Sequence, residues 1–202
     1  MHAQLDDAIA WLGKLVSHNT VSSISNLALI DEIETFLSSH DIQSIRLPSD
    51  DKSKSGIIAL IGPSQEGGIV LSGHTDVVPV EDQIWHSEPF TLTTKGNKLH
   101  GRGTCDMKGF ISCCLAMVPH FKQHATAPMI LAFSYDEEVG CLAAQYMADS
   151  VLKHYPKPAY AVIGEPTNMQ PVTAHKGIMS FHTVIRGYET HSSLQEDGVE
   201  CR

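Results

Sequence analysis

Two of the short apolar runs in this sequence limit the folds that the chain can adopt. One is Ile69-Val70-Leu71, and the other extends from Met129 to Phe133. A strand with one face in water alternates polar and apolar residues, whereas a strand covered on both faces is apolar throughout. Both runs are therefore predicted to be strands of a sheet that has helices on each face.

Helical patterns alternate with short strands over most of the chain. Apolar residues at helical spacing predict four helices, at residues 4–17, 27–39, 106–124 and 142–154. Short apolar runs predict the remaining strands, at residues 44–47, 56–61 and 160–163, with a hairpin at 90–100. Pro119 is expected to kink or end the third helix. The alternation predicts an α/β fold.

The pattern changes near residue 177. Beyond Val172 the alternation gives way to runs that are typical of β-strands, at residues 172–174 and 178–186. We therefore expect a first domain over residues 1–177 and the beginning of a second domain over residues 178–202.

The charge balance and the hydrophobic profile argue against several classes of protein. Lys and Arg number 14 against 23 Asp and Glu, a formal net charge of −9, whereas a nucleic-acid-binding protein usually carries a basic stripe. No apolar run approaches the roughly 18 residues that span a bilayer, and the N-terminus lacks the pattern of a secretory signal. The 5 cysteines match neither a zinc knuckle nor a disulfide framework, which favours a cytoplasmic protein with reduced thiols. We expect no nucleic-acid partner and no membrane partner.

Polar clusters follow predicted strands or turns at four places, and ligands gather at the carboxyl ends of strands in open α/β sheets. The first cluster is His74-Thr75-Asp76, whose outer residues share one face of an extended chain. A metal-binding histidine needs an acceptor for its second ring nitrogen, and a nearby carboxylate provides one. Taken alone, the pair is also compatible with a surface histidine and an acidic turn.

The second cluster places Asp106 between Gly103 and Gly109, at the start of a predicted helix. Glycines on both sides allow the backbone to turn sharply and bring the carboxylate to a fixed point. Asp at a helix N-terminus also serves as a purely structural cap. The motif alone leaves both readings open.

The third and fourth clusters are acidic. Asp136-Glu137-Glu138 follows the apolar strand at 129–133, and Glu165 follows the strand at 160–163. Adjacent acids repel one another, and a bound cation would offset that repulsion. Neighbouring residues of an extended chain point in opposite directions, so one Glu can bind a metal while the other faces the water to be activated. A solvated loop and an ordinary turn are the structural alternatives.

The four clusters together point to one kind of chemistry. One imidazole and at least three carboxylates at successive strand ends suit a hydrolytic site for zinc or a similar divalent ion. Such an ion lowers the pKa of bound water toward ~7 and polarises a carbonyl. A free Glu then takes the proton and later delivers it to the leaving amine.

These motifs resemble the co-catalytic zinc aminoacylase and exopeptidase family of the M20 type. The resemblance extends from Met1 to about Val199, and the stretches that carry it are 74–79, 101–109, 136–138 and 164–167. It implies a zinc-exopeptidase-like catalytic domain with a mixed, mostly parallel sheet flanked by helices, followed by the start of an α+β lid or dimerisation domain. Residues 134–141 and 174–177 look most like the acetylornithine deacetylase branch of the family.

The resemblance also implies a set of metal ligands. His74 and Glu165 would bind one divalent ion, Zn or Co, and Glu138 would bind a second. Asp106 would bridge the two ions, and the bond from Asp106 to Met107 would be a cis peptide.

Catalytic roles follow from the same resemblance. Asp76 would orient His74, and Glu137 would be the general base for the metal-bound water. His191 would be the lid-domain histidine that, in dimeric members, reaches the partner's active site and donates to the developing oxyanion.

The chain departs from the family pattern at its end. The second metal of the family takes a further His close to the C-terminus, whereas this sequence ends at Arg202. That metal site would keep only Glu138 and the shared Asp106. The family continues Gly-Val with Asn-Ala, whereas this chain continues with Glu200 and Cys201.

The resemblance implies removal of the acetyl group from N2-acetyl-L-ornithine, an N-acylated amino acid, to give L-ornithine and acetate in arginine biosynthesis. The full-length family member is expected to be a homodimer. The alternatives are a succinyl-diaminopimelate desuccinylase or a related dipeptidase and, in another class, an inactive truncated fragment.

Overall fold

A computed structural model of the chain describes residues 2–174, 176, 177, 179 and 181–184. The chain divides into two compact units, Met1–Asn168 and Met169–Arg202. Within the described residues, all helices and strands lie in the first unit. The domain boundary expected at residue 177 stays a prediction.

A mixed sheet forms the centre of the first unit. The strands are β1 (Ser44–Pro48), β2 (Ser55–Ile61), β3 (Ile69–His74), β4 (Thr93–Lys95), β5 (Lys98–His100), β6 (Met129–Ser134) and β7 (Tyr160–Ile163). The main sheet has the order β1-β2-β6-β3-β7, and β4 and β5 form the predicted hairpin. Strand β2 is antiparallel to β1 and β6, whereas β3 is parallel to β6 and β7. The carboxyl ends of β3, β6 and β7 therefore meet at the same end of the sheet.

Helices cover both faces of this sheet, which confirms the predicted α/β fold. They are α1 (His2–Ser17), α2 (Leu27–Ser39), α3 (Lys108–Ala116), α4 (Val118–His124) and α5 (Ala144–His154). One apolar cluster packs the four helices α1, α2, α3 and α4 against one face of β2 and β6. A second cluster packs α5 against the other face.

The position of β6 in the sheet explains its apolar sequence. Leu131 and Phe133 pack in the cluster with α1 to α4, while Ile130 and Ala132 pack in the cluster with α5. The prediction that residues 129–133 are buried on both faces is confirmed. Strand β3 is less deeply covered, because its neighbour β7 is an exposed strand at the edge of the sheet.

The prediction of one continuous helix over residues 106–124 is wrong, but the expectation that Pro119 interrupts it is confirmed. Two helices, α3 and α4, occupy this stretch, and they meet at Met117. The cause is Pro119, which lacks an N–H and whose ring would clash with the carbonyl of Leu115 in a continuous helix. The break falls at Met117, two residues before the proline.

The alternative reading of Asp106 as a helix cap is also wrong. Helix α3 begins at Lys108, its N-cap is Met107, and no side chain caps it. The Asp106–Met107 peptide is cis, as the family resemblance implied. Gly109 lies so close to the carbonyl oxygen of Thr104 that a Cβ would overlap it, so the turn requires glycine.

The segment between α1 and α2 lies along the chain that continues β3. Val21 forms a parallel bridge with Val77, and the amide of Ser22 donates to the carbonyl of Val77 at 3.2 Å. The hydroxyl of Thr20 donates to the carbonyl of Thr75 at 2.6 Å. This segment therefore borders the cluster that begins at His74.

The described residues of the second unit are mostly exposed and form no regular secondary structure. The strand predicted at residues 172–174 is therefore wrong, and the run at 178–186 lies partly outside the described residues. Among the described residues, no helix is long and apolar enough to cross a membrane.

Candidate metal centre

Three strand ends bring the sequence motifs together. His74 is the last residue of β3, Glu137 and Glu138 follow β6, and Glu165 follows β7. Since β3 is parallel to both β6 and β7, these residues project from the same end of the sheet. Asp106 reaches the same place from the turn before α3.

His74 lies at the centre of the cluster and is only 2% exposed. Its Nε2 atom is 3.1 Å from Asp106 Oδ1, 3.7 Å from Glu165 Oε1 and 3.8 Å from Glu137 Oε2. Its Nδ1 atom is 2.9 Å from the backbone oxygen of Asp76. A backbone acceptor on Nδ1 leaves Nε2 as the atom that faces the carboxylates.

Asp76 is buried, and its carboxylate accepts three hydrogen bonds from two segments. Ser22 Oγ donates to Oδ2 at 2.7 Å, and the backbone amides of Glu137 and Glu138 donate to the two carboxylate oxygens at 3.2 Å each. The nearest carboxylate oxygen is 3.5 Å from His74 Nδ1. The Asp76 carboxylate thus holds the loop after β6 and faces the imidazole from a longer distance.

The pKa of Asp76 follows from this setting. Burial alone would raise the pKa of the Asp76 carboxyl. The hydrogen bonds from His74, Ser22 and the Glu137 amide outweigh that effect and lower it. Asp76 therefore stays ionised next to the candidate centre.

The ligand atoms form two overlapping groups around His74. In one group, atoms of His74, Glu137 and Glu165 all lie within 4.8 Å of one another. In the other, the same holds for His74, Asp106 and Glu138. Imidazole and carboxylate donors at this separation suit zinc or another divalent ion of similar preference.

Each ionised carboxylate of the cluster makes ionisation of its neighbours less favourable. Burial and the negative charges of Asp106 and Glu137 raise the pKa of both Glu138 and Glu165. A divalent cation would remove this repulsion, because it offsets the charge of several carboxylates at once. The donor set therefore fits a metal ion on electrostatic grounds as well as on distance.

The same carboxylates act on His74 in the opposite direction. Burial alone would lower the pKa of this imidazole, but the interaction with Asp76 and the charges of Glu137 and Glu165 raise it to about 9. Without an ion, His74 would therefore carry a proton at neutral pH. A metal ion must displace that proton to bind the imidazole.

The placement of Glu165 depends on a close approach between β7 and α3. The amide of Gly164 donates to the carbonyl of Ser72 at 3.0 Å, which aligns Gly164 with β3. A Cβ on Gly164 would overlap the ring of Phe110. Only glycine therefore lets the chain pass α3 here and present Glu165 to the cluster.

Three residues around this cluster had no predicted role. Ser22 contacts Asp76, and Lys54 forms an ion pair with Asp136 in which Nζ and Oδ1 are 2.6 Å apart. Lys108 is completely buried and donates to the carbonyls of Leu15 and His18 at 2.9 Å each, at the end of α1. Lys108 lies within the motif around Asp106, but nothing in the local sequence pattern indicates contacts so distant along the chain.

The structure brings His74, Asp76, Asp106, Glu137, Glu138 and Glu165 together. His191 lies outside the described residues. The assignment of each residue as ligand, base or orienting group stays a prediction.

Sequence comparison identifies a matching protein family and several similar proteins. The model of peptidase family M20/M25/M40 matches residues 70–199. The acetylornithine deacetylase of Proteus mirabilis (strain HI4320) is 39% identical over 212 residues, covering 100% of this chain and 53% of that protein. The acetylornithine deacetylase of Photorhabdus laumondii is 33% identical over 209 residues, with the same coverage. The chain thus spans about half the length of the curated relatives that it matches.

Solved structures show the same fold. Human carnosine dipeptidase 1 superposes with a TM-score of 0.64 at 21% identity, over 78% of this chain and 38% of that one. An M20 family metallo-carboxypeptidase of Sulfolobus solfataricus, Sso-CP2, superposes with a TM-score of 0.64 at 19% identity, over 79% and 37%. Both comparisons agree with the mixed sheet and its flanking helices.

Proposed function

This chain belongs to peptidase family M20/M25/M40, and from that membership we propose that it hydrolyses a linear amide with the help of divalent metal ions. The observation that carries the proposal is the convergence of one imidazole and four carboxylates at the ends of three strands. Their mutual repulsion and their ligand chemistry both favour a cation.

In this proposal His74 and Glu165 would hold one ion, Glu138 would hold a second, and Asp106 would be a ligand of both. Zinc is the first candidate, and cobalt the second, because imidazole and carboxylate ligands accept either. When bound, the ions would lower the pKa of water and polarise the amide carbonyl.

Glu137 acts as the general base in this scheme. It takes the proton from the attacking water and delivers it to the nitrogen of the leaving amine. Its own amide is held by Asp76 Oδ1 at 3.2 Å, so the backbone that carries the base is fixed. Asp76, ionised and buried, steadies both this loop and His74.

The proposed substrate is N2-acetyl-L-ornithine, which would give L-ornithine and acetate. Support comes from the names of the relatives, which are acetylornithine deacetylases at 33% to 43% identity. A role in arginine biosynthesis would follow from that reaction. A desuccinylase or dipeptidase activity is the alternative outcome of the test below.

The remaining expectations are part of the same proposal. The catalytic domain would occupy residues 1–177, and the lid or dimerisation domain would begin at residue 178. A full-length family member would be a homodimer, as the family resemblance implies, and the cysteine pattern favours the cytoplasm.

The test is hydrolysis of N-acetylornithine by the zinc- or cobalt-loaded protein, with succinyl-diaminopimelate and a dipeptide as competing substrates. We expect the acetyl substrate to be preferred. Glu137→Gln should lower kcat by about 10²- to 10⁴-fold, the usual contribution of a general base. Glu66→Gln, at an exposed loop position, is the matched control. Activity that survives Glu137→Gln would contradict the assignment of the base.

A further inference from the structure

Two side chains from the first 54 residues hold the loop that carries Glu137. Ser22 Oγ donates to Asp76 Oδ2 at 2.7 Å. The same carboxylate accepts hydrogen bonds from the backbone amides of Glu137 and Glu138 at 3.2 Å each. Ser22 is itself anchored, because its amide donates to the carbonyl of Val77. A chain of hydrogen bonds thus connects Ser22 to the backbone on the C-terminal side of residue 136.

Lys54 fixes the other side of the same loop. Its Nζ atom contacts Asp136 Oδ1 at 2.6 Å and also donates to the backbone oxygen of Ser22. Both partners of this ion pair are mostly enclosed, with 16% and 14% of their side-chain surface exposed. Asp136 has a φ of 58°, a conformation that residues other than glycine adopt at a cost. The ion pair with Lys54 holds the side chain of the residue that adopts this conformation.

We propose that Ser22 and Lys54 are positioning residues for Glu137, acting through Asp76 and Asp136 respectively. The proposal rests on the proposed function, since it takes Glu137 as the base. Lys54 holds the residue before Glu137. Asp76 accepts hydrogen bonds from the amides of Glu137 and Glu138, so the backbone is held on both sides of the base. The Glu137 carboxylate itself accepts a hydrogen bond from the thiol of Cys141 to Oε1 at 3.4 Å. Neither Ser22 nor Lys54 needs to contact the substrate.

The physical reason for such a device is the sensitivity of proton transfer to distance. A base must lie within hydrogen-bond reach of the water it deprotonates, and a displacement of about 1 Å can lower the rate by about 10²-fold. Glu137 follows a residue in a strained conformation and lies among carboxylates that repel it. Contacts from residues outside the loop therefore determine the position of Glu137.

The first experiment needs no substrate. Amide hydrogen exchange of Glu137 and Glu138 should be about 10-fold faster in Ser22→Ala than in the parent protein, because the Asp76 acceptor is no longer held. Lys54→Met should accelerate exchange in the same loop. Ser23→Ala and Lys52→Met, which change exposed neighbours, are the matched controls and should leave the exchange unchanged. Unchanged exchange in both test variants would overturn the proposal.

The second experiment separates positioning from general stability. Ser22→Ala should lower kcat about 10-fold with KM and metal content unchanged, and Ser22→Thr, which keeps the hydroxyl, should restore most of the loss. In a Glu137→Gln background the same Ser22→Ala change should cost nothing further, because the base is already absent. A full 10-fold loss in that background would overturn the proposal.

The two experiments also keep this proposal distinct from the proposed function. If the parent protein does not hydrolyse N-acetylornithine, the substrate assignment fails. The exchange measurement still decides whether Ser22 and Lys54 hold the loop.

Discussion

The candidate centre has two halves that differ in how they are held. His74 and Asp76 are each 2% exposed and are fixed by hydrogen bonds from several segments. Asp106, Glu137 and Glu165 keep between 36% and 50% of their side-chain surface exposed. Hydrogen bonds within the protein thus fix His74 and Asp76 without an ion. The more exposed acidic residues repel one another, so a bound cation would stabilise them most.

The largest expected effect comes from breaking the buried half. Asp76→Asn keeps the shape of the side chain but removes its charge and one acceptor, so one of the amides at Glu137 and Glu138 loses its partner. We expect activity or metal affinity to fall by about 100-fold, the upper range for groups that support metal ligands. Metal titration and kinetics measure the loss. Asp149→Asn, on an exposed position of α5, should change neither quantity.

The next effect comes from displacing one residue of the exposed half. Gly164→Ala would place a Cβ in the ring of Phe110, so the chain must shift and take Glu165 with it. Overpacking of this kind costs about 1–3 kcal/mol in the free energy of unfolding. Denaturant unfolding measures this cost, and metal titration should show weaker binding. A second change, Phe110→Ala, should recover part of both losses. If Gly164→Ala behaves like the parent protein, the close approach is not what places Glu165.

A graded effect is expected from pH, smaller for each pH unit than the loss expected from Asp76→Asn. The pKa of His74 is raised to about 9 in the absence of an ion, so proton and metal compete for its Nε2 atom. As pH falls below about 9, metal affinity should drop by about tenfold per unit for this one proton. The raised pKa of Glu165 adds to the loss at lower pH. Calorimetric titration with zinc between pH 6 and 9 checks the slope, and an affinity independent of pH would contradict it.

The smallest effect is expected from a substitution of Lys108, whose buried side chain contacts the end of α1. Lys108→Met removes the donor from the buried carbonyl of Leu15 and the partly buried carbonyl of His18. It also removes the cost of burying an ammonium group, the burial that lowers the pKa of Lys108 to about 7. These two contributions oppose each other, so we expect a net loss of about 1 kcal/mol in unfolding free energy. Denaturant unfolding at pH 7 measures it. Lys153→Met, on the exposed side of α5, is the control. A loss above about 3 kcal/mol would show that the two hydrogen bonds dominate.

The sequence indicated the elements and the chemistry of the site because both leave local signals. The apolar run at 129–133 indicated a strand covered on both faces, and the polar residues that follow it and its neighbours indicated ligands. The break between α3 and α4 was visible as Pro119, but its position at Met117 depends on which carbonyl the ring would meet.

Contacts between distant segments left no such signal. The order of the strands and the pairing of Ser22 with Asp76 depend on how the chain closes over more than 50 residues. The buried ammonium of Lys108 resembles a surface lysine in the sequence, because its acceptors lie 93 and 90 residues away. Even Asp106 could be read as a cap until the cis peptide and the later start of α3 were known.

One consequence concerns which parts of the sequence supply the candidate ligands and which supply the residues that position them. The segment that matches the family model begins at residue 70 and contains all the candidate ligands, whereas Ser22 and Lys54 lie before it. A chimera that joins residues 70–199 to the N-terminal segment of another family member would keep the candidate ligands. Its turnover would depend on whether that segment supplies a hydroxyl group and an ammonium group at the positions of Ser22 and Lys54.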